Sequence, residues 1–191
     1  MGPTRSTPTT QTCWKDEVLR LWFTELPRQQ WFAAEAALDE RIHSRFLDLH
    51  RMVAAAPGDA LLADAKTALA AVIVLDQFSR NMFRGTPSAF ANDAKALAIS
   101  RKAIAKGFAD ALSSDERLFL YLPFEHQESV DAQARSVELF SGLDDPELTK
   151  YAQAHKDIID RFGRFPHRND ILGRTSTAEE MEFLKGQDNS F

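Results

Sequence analysis

Glu125 and His126 are neighbours in the sequence and carry two of the side-chain types most used for proton transfer near neutral pH. A carboxylate beside an imidazole can tune the pKa of the ring and hold its tautomer, as general acid–base catalysis requires. The pair also fits a helix start, where acidic side chains are stabilising whatever the function. The candidate catalytic residues are Glu125, His126 and His167.

A second concentration of polar side chains lies in residues 161–174. It contains Arg161, Arg164, His167, Arg168, Asn169, Asp170 and Arg174. Guanidinium groups bind planar oxyanions through paired hydrogen bonds, so this density suits a carboxylate or phosphate ligand. The candidate ligand-binding residues here are Arg164, His167, Arg168 and Asn169. We expect Arg161 and Arg174 instead to tie the loop to acidic residues elsewhere.

A third group shares one face of a predicted helix end, because its members are three and four residues apart. It comprises Asp76, Gln77, Arg80, Asn81 and Arg84. An ion pair between Asp76 and Arg80, with cationic side chains at the helix C-terminus, explains the pattern without a ligand. The alternative is that Arg80 and Arg84 bind the ligand.

Two further polar residues are candidates for the same ligand site. Gln133 lies seven residues after His126 and therefore on the same face of a helix. His155 lies in an apolar stripe between Tyr151 and Ile158, where a lone histidine is more often a hydrogen-bonded core residue than a ligand. It contributes to a site only if it meets His126 or His167.

Metal, cofactor and nucleophile signals are weak. The single Glu-x-x-His, from Glu40 to His43, lacks the second copy that a di-iron bundle needs. There is no HExxH, GxSxG or phosphate-binding glycine motif, and Cys13 follows a polar leader. We therefore expect no metal ion and no cofactor.

The composition limits the class of protein. The chain has 191 residues with a net charge of −5, which is the wrong sign for a nucleic-acid binder. A single cysteine indicates a reducing compartment such as the cytoplasm, and no apolar run approaches the ~20 residues of a membrane span. Residues 1–12 resemble a flexible leader, so we expect one soluble domain over residues 13–191.

Apolar spacing and helix-end signals predict about seven helices with short connections. Thr86 and Pro87 suit the start of one helix, and Ser113 with Glu116 suits a capping box for the next, which Pro123 breaks or kinks after Leu122. The apolar segment at 68–83 is predicted to be a buried helix rather than a strand. The predicted fold is all-α, with antiparallel helical hairpins stacked in a tetratricopeptide-like superhelix.

Three segments carry a resemblance to a known family: LDQFSRNMFRGTPSAFANDAKAL, FLYLPFEHQES and RFGRFPHRNDILGRTSTAEEMEFL. From about Trp14 to Leu184 the chain resembles the bacterial family called domain of unknown function 924. The resemblance implies a tetratricopeptide-like all-α fold but no reaction, cofactor or partner. It marks as motif residues Asp76, Gln77, Arg80, Arg84, Asp93, Pro123, Glu125, His126, Gln133, His155 and the run 161–169. The chain departs from the family at 58–66.

Three functional hypotheses follow from these residues. The first is a helical binding module whose concave face accepts an acidic peptide or small anion. The second is a hydrolase with an acid–base pair formed by Glu125 and His126 or His167, with arginines stabilising negative charge. The third is that every motif is architectural and the working surface is a homo-oligomer contact. Convergence of Glu125, His126, His155 and His167 on one cleft would separate the third hypothesis from the others.

Overall fold

The computed structural model describes residues 13–186, so the predicted leader at 1–12 lies outside the described residues. Every regular element in this range is helical, which confirms the all-α prediction. The α-helices are α1 (Trp14–Arg20), α2 (Ala36–Ala55), α3 (Ala65–Ile73), α4 (Ser79–Met82), α5 (Asp93–Ala105), α6 (Ser114–Glu125), α7 (Val130–Ser141), α8 (Pro146–Phe162) and α9 (Ala178–Lys185). Short 3₁₀ turns lie at Arg28–Gln30, Gly58–Leu61, Pro87–Phe90, Phe108–Ala111 and Pro166–Arg168.

The α3 and α4 helices form one continuous rod because a π-helical turn, Val74–Phe78, joins them. Residues 67–79 of this rod are all buried, which explains the apolar run and confirms the prediction of a helix rather than a strand. A π turn inserts an extra residue and is frequently found at functional sites. Here it contains Asp76 and Gln77, both of which are buried.

The α6 helix continues through Pro123 to Glu125, so the predicted break after Leu122 is wrong. The backbone amide of His126 donates to the Leu122 carbonyl at 3.0 Å, which closes the last turn. Residues 118–125 are all buried, and this packing offsets the hydrogen bond that a proline cannot donate. Glu125 therefore lies in the last turn of a helix, and the helix-start explanation for Glu125 and His126 is also wrong.

The start of α5 also differs from the prediction. Thr86 and Pro87 begin only the 3₁₀ turn Pro87–Phe90, and the α-helix starts at Asp93. The Thr86 hydroxyl donates to the Phe83 carbonyl at 2.8 Å and does not cap the following amides. The predicted capping box at Ser113 is present, and Thr177 forms another at the start of α9.

The main apolar core surrounds α3, which packs against α1, α5 and α6, while α7 packs between α6 and α8. A smaller core under the loop after α8 contains Ile158, Ile159 and Phe165. No helix in residues 13–186 is both long and apolar enough to cross a bilayer. The tetratricopeptide-like order of hairpins and the single domain over 13–191 stay predictions.

Phe119 on α6 holds the segment after α1 against the core. Its ring makes edge contacts with Trp22 and Trp31 at centroid distances of 5.4 and 5.0 Å, and stacks on Phe32 at 5.9 Å. The Trp31 indole also donates to the Trp22 carbonyl at 2.8 Å. This aromatic cluster fixes Trp31 and Phe32 at the edge of the cleft described below.

We predict that Phe119→Ala lowers the free energy of unfolding by about 3–5 kcal/mol, because it removes a buried ring and leaves a cavity. Phe119→Leu should cost much less, since most of the buried volume is retained. Urea denaturation followed by circular dichroism measures both. Equal losses for the two variants would show that the aromatic contacts, rather than the filled volume, stabilise this region.

Candidate functional site

A cleft of about 780 Å³ lies between the segment after α1, the α3–α4 rod, α6, α8 and the loop after α8. Its polar lining residues are Gln77, Arg80, Asn81, Arg84, Glu125, His126, His155, His167 and Arg168. Its larger apolar and aromatic lining residues are Trp31, Phe32, Phe90, Leu118, Leu122, Phe140, Leu148, Tyr151 and Ile171. Residues that are far apart in the sequence therefore meet in one concave site of the size of a small-molecule pocket.

Asp76 and His126 form the central pair of the polar end. Asp76 is 0% exposed, and both its carboxylate oxygens lie 2.9 Å from Nδ1 of His126. Burial alone would raise the pKa of Asp76, but Arg80 and His126 hold this pKa well below its ordinary value. An ionised Asp76 requires a proton on Nδ1 of His126, which leaves Nε2 as the basic ring nitrogen.

Two arginines surround this pair. Arg80 lies 2.6 Å from Asp76 and donates two hydrogen bonds to Asp93, at 3.0 and 3.1 Å. Arg168 contacts Asp93 at 3.5 Å and donates to the His126 carbonyl at 3.0 Å. Its guanidinium lies between the rings of Phe90 and Phe165, at 4.6 Å from each centroid. These contacts hold Arg168 in one orientation on the cleft wall.

Glu125 and His155 form a second buried pair beside the first. Nδ1 of His155 lies 3.6 Å from Oε1 of Glu125 and donates to the Tyr151 carbonyl at 2.9 Å. Burial, together with the charge of Asp76, raises the pKa of Glu125 to about 8. Burial lowers the pKa of His155 to about 4. Both side chains are therefore uncharged at neutral pH, with Glu125 as a proton donor.

His167 brings a third imidazole to the cleft. Its ring lies beside Phe165, with centroids 5.6 Å apart. Burial and the neighbouring Arg168 lower the pKa of His167 to about 4, so this ring is also neutral at pH 7. The convergence of Glu125 with these histidines could not be read from their order along the chain. Only the packing of α6, α8 and the following loop brings them together.

Six of the nine candidate ligand-binding residues line the cleft, and three do not. Gln133 is fully buried and donates to the Glu125 and Gln127 carbonyls at 2.6 and 2.8 Å. Arg164 pairs with Glu180 at 2.6 and 2.8 Å. Asn169 is buried and bonds Ser176. Because these three side chains are engaged away from the cleft, we leave them out of the proposed site.

The other two arginines of the loop, and Arg84 at the cleft, make ion pairs with acidic residues. Arg174 makes two hydrogen bonds to Glu128, at 2.6 and 2.9 Å, and a third to the Phe165 carbonyl at 3.1 Å. Arg161 pairs with Glu179 on α9 at 2.8 Å. At the cleft itself, Arg84 makes two hydrogen bonds to Asp39, at 2.6 and 2.9 Å. The presence of an arginine in the sequence therefore did not indicate whether it stabilises the loop or lines the cleft.

Asp93, Phe90 and the aromatic residues at the cleft edge were not predicted to be site residues. Tyr151 belonged to the predicted apolar stripe, yet it is 56% exposed and lines the cleft. Phe32 is 62% exposed on the opposite chain segment. The exposure of Tyr151 could not be predicted from its spacing, because its position in the helical apolar period is the one that a buried core residue would have.

Similarity to known proteins agrees with this fold. A family model described as a bacterial protein of unknown function, DUF924, matches residues 18–188. The chain belongs to this family. A solved structure of a protein of unknown function from Agrobacterium tumefaciens is 40% identical, with a TM-score of 0.86 over 91% of this chain and 97% of that chain. No curated protein matches the chain at a significant level.

The family assignment confirms the sequence resemblance, and it covers both the α6 end and the loop after α8 that form the polar end of the cleft. It supplies no reaction. Over residues 13–186, no group of three or more His, Cys, Asp or Glu side chains is placed to hold a metal ion.

The raised pKa of Glu125 predicts a specific pH dependence of stability. Between its ordinary value of 4.5 and about 8, the folded state holds a proton that the unfolded state has lost. The free energy of unfolding should therefore fall as pH rises through this window, by up to about 1.4 kcal/mol per pH unit. Glu125→Gln should lack this component. The free energy of unfolding of the wild type minus that of the variant should therefore fall from pH 5 to 8 and stay constant at higher pH.

Urea denaturation from pH 5 to 9 measures that difference. The histidine contributions, which run in the opposite direction because burial lowers their pKa values, are largely common to both proteins and cancel. Glu40→Gln, at an exposed position of α2, controls for the loss of a carboxyl group. A difference between wild type and Glu125→Gln that does not change with pH would contradict a protonated Glu125.

Proposed function

We propose that the chain is a hydrolase that acts on a small molecule in this cleft, with His126 as general base and Glu125 as general acid. The observation that carries the proposal is that His126, bonded to the buried Asp76, and the protonated Glu125 line one cleft. Acid–base sites typically contain titratable groups that share a cleft and whose surroundings shift their pKa values in opposite directions.

His126 fits the role of base. Asp76 accepts the Nδ1 proton, so Nε2 carries the lone pair that can take a proton from water. Burial and the charge of Arg80 lower the pKa of His126, which keeps its ring neutral, with Nε2 unprotonated, before reaction. When the ring becomes protonated, the adjacent Asp76 carboxylate stabilises the new positive charge.

Glu125 fits the role of acid. Its carboxyl group is protonated at neutral pH and lines the same cleft as His126. Its place in the last turn of α6 adds to this effect, because the negative end of the helix dipole disfavours a carboxylate. Glu125 can thus protonate a departing oxygen or nitrogen.

Water is the proposed nucleophile. Among the described residues that line the cleft, none is Ser, Thr or Cys. The Arg168 guanidinium, held between two aromatic rings, is the proposed donor to the oxyanion that forms when water adds to a carbonyl group. A donor held in place before reaction stabilises this charge without reorganisation.

A binding module for an acidic peptide or small oxyanion is the second candidate. The three arginines of the cleft favour it. Each of them, however, is already paired: Arg80 with Asp76 and Asp93, Arg84 with Asp39, and Arg168 with Asp93. An anion would have to compete with these carboxylates, so the acid–base proposal has more support.

We predict that the purified chain hydrolyses at least one of three chromogenic probes: 4-nitrophenyl hexanoate, N-hexanoyl-4-nitroaniline and 4-nitrophenyl phosphate. His126→Gln should lower kcat for that probe by about 10²–10⁴-fold, with KM changed by only a few-fold. His43→Gln, a partly exposed histidine on α2 outside the cleft, is the matched control and should leave kcat unchanged.

Glu125→Gln tests the acid separately. Nitrophenolate leaves without a proton, whereas nitroaniline must be protonated, so this variant should slow the anilide far more than the ester. The alkaline fall in kcat expected near pH 8 should also disappear in it. Absence of turnover with all three probes, or an unchanged kcat in His126→Gln, would rule out the proposed reaction.

A further inference from the structure

Resting on the proposed hydrolysis, we propose that the substrate is an uncharged ester or amide of a hydrophobic carboxylic acid. Its carbonyl group would sit at the polar end of the cleft and its apolar body against the aromatic and aliphatic wall. Two independent features of the cleft support this assignment: the charge balance of its polar end and the apolar composition of the rest of its lining.

The fixed charges of the polar end cancel. Two guanidiniums, Arg80 and Arg168, face two carboxylates, Asp76 and Asp93, at 2.6–3.5 Å. At the cleft edge, Arg84 and Asp39 form another complete pair. Glu125 adds no negative charge at neutral pH, because its carboxyl group is protonated. Among the described residues of the cleft, each arginine is therefore matched by a carboxylate.

This balance selects against anionic ligands. A carboxylate or phosphate would enter next to the fully buried Asp76 and would lose its hydration without gaining an unpaired counter-ion. A carbonyl oxygen, in contrast, can accept a hydrogen bond from Arg168 and adds no charge. The arginine-rich sequence pattern therefore corresponds to a site that is electrically neutral.

A large part of the cleft lining is apolar and forms what we call the apolar wall. It includes Trp31, Phe32, Leu118, Leu122, Phe140, Leu148 and Tyr151. Phe32 and Tyr151 remain 62% and 56% exposed, although large aromatic side chains usually bury their rings. An apolar ligand body lying between them would cover this surface. A cleft of about 780 Å³ is large enough for such a body as well as a head group.

The reaction balances with the groups present. Water forms a bond from its oxygen to the carbonyl carbon and gives one proton to Nε2 of His126. The bond from carbon to the alcohol oxygen or amine nitrogen breaks, and Glu125 protonates the departing atom. The proton on His126 then returns the Glu125 carboxylate to its acid form. The products are a carboxylic acid, which ionises and leaves the neutral site, and an alcohol or amine.

Isothermal titration at pH 7 with ligands that share a pentyl chain tests the charge selection. The uncharged probes are 2-heptanone, which cannot be hydrolysed, and hexanamide; the anionic probes are hexanoate and pentylphosphonate. We expect both uncharged probes to bind at least ten-fold more tightly than either anion. Acetamide, which has the head group without the body, should bind at least ten-fold more weakly than hexanamide.

Ala34→Trp tests the apolar wall without altering the core. Ala34 is exposed and lines the cleft, so a bulky ring there should fill it and weaken 2-heptanone binding at least ten-fold. Ala37→Trp, at an exposed position of α2 outside the cleft, is the matched control and should leave binding unchanged. Unchanged circular dichroism and melting temperature identify variants that fold normally.

The outcomes separate this inference from the hydrolase proposal. Binding of hexanoate or pentylphosphonate as tight as that of 2-heptanone, equal binding of acetamide and hexanamide, or binding of none of the probes would overturn the inference. Hydrolysis of 4-nitrophenyl phosphate that depends on His126 would also overturn it while supporting the hydrolase. Selective 2-heptanone binding with no turnover of any probe would leave the ligand class standing and the hydrolase rejected.

Discussion

Asp76 carries a negative charge on a side chain that has no contact with solvent, and such a charge is stable only when cations and hydrogen-bond donors surround it. Arg80, Gln77 and His126 provide these contacts, from its own helical rod and from the end of α6. Arg80 in turn engages Asp93, and Asp93 engages Arg168 from the loop after α8. One buried carboxylate thus ties four parts of the chain to the cleft.

The same carboxylate separates the proton affinities of its neighbours. Its contact with Nδ1 leaves Nε2 of His126 as the basic nitrogen, and its negative charge adds to burial in keeping Glu125 protonated. Two adjacent residues of one helix end therefore have opposite tendencies, one to accept a proton and one to donate it. This difference arises from the surroundings of each side chain and not from the residue types. In an exposed pair at neutral pH, the glutamate would be ionised and the histidine mostly neutral.

The arginine-rich loop shows how far residue type alone can mislead. Arg164 and Arg168 were both expected to bind an anion, yet Arg164 pairs with Glu180 and only Arg168 lines the cleft. Arg161 and Arg174 pair with Glu179 and Glu128, as expected of residues that tie the loop to acidic side chains. Guanidinium groups serve loops and ligands through the same hydrogen bonds. Which partner each one meets depends on the packing of α9 and α6 against the loop, and this packing leaves no periodic trace in the sequence.

The sequence by itself determined a helix start that carries a strong local signal, the capping box of Ser113 and Glu116, and the helical state of the apolar segment at 68–83. It also indicated Glu125, His126 and His167 as candidate site residues, because residue type and spacing are local properties. Tertiary structure alone decided that α6 runs past Pro123, that His155 joins the cleft and that the arginine charges cancel. Those outcomes depend on burial and on partners distant in the chain, and both come into existence only when the helices pack.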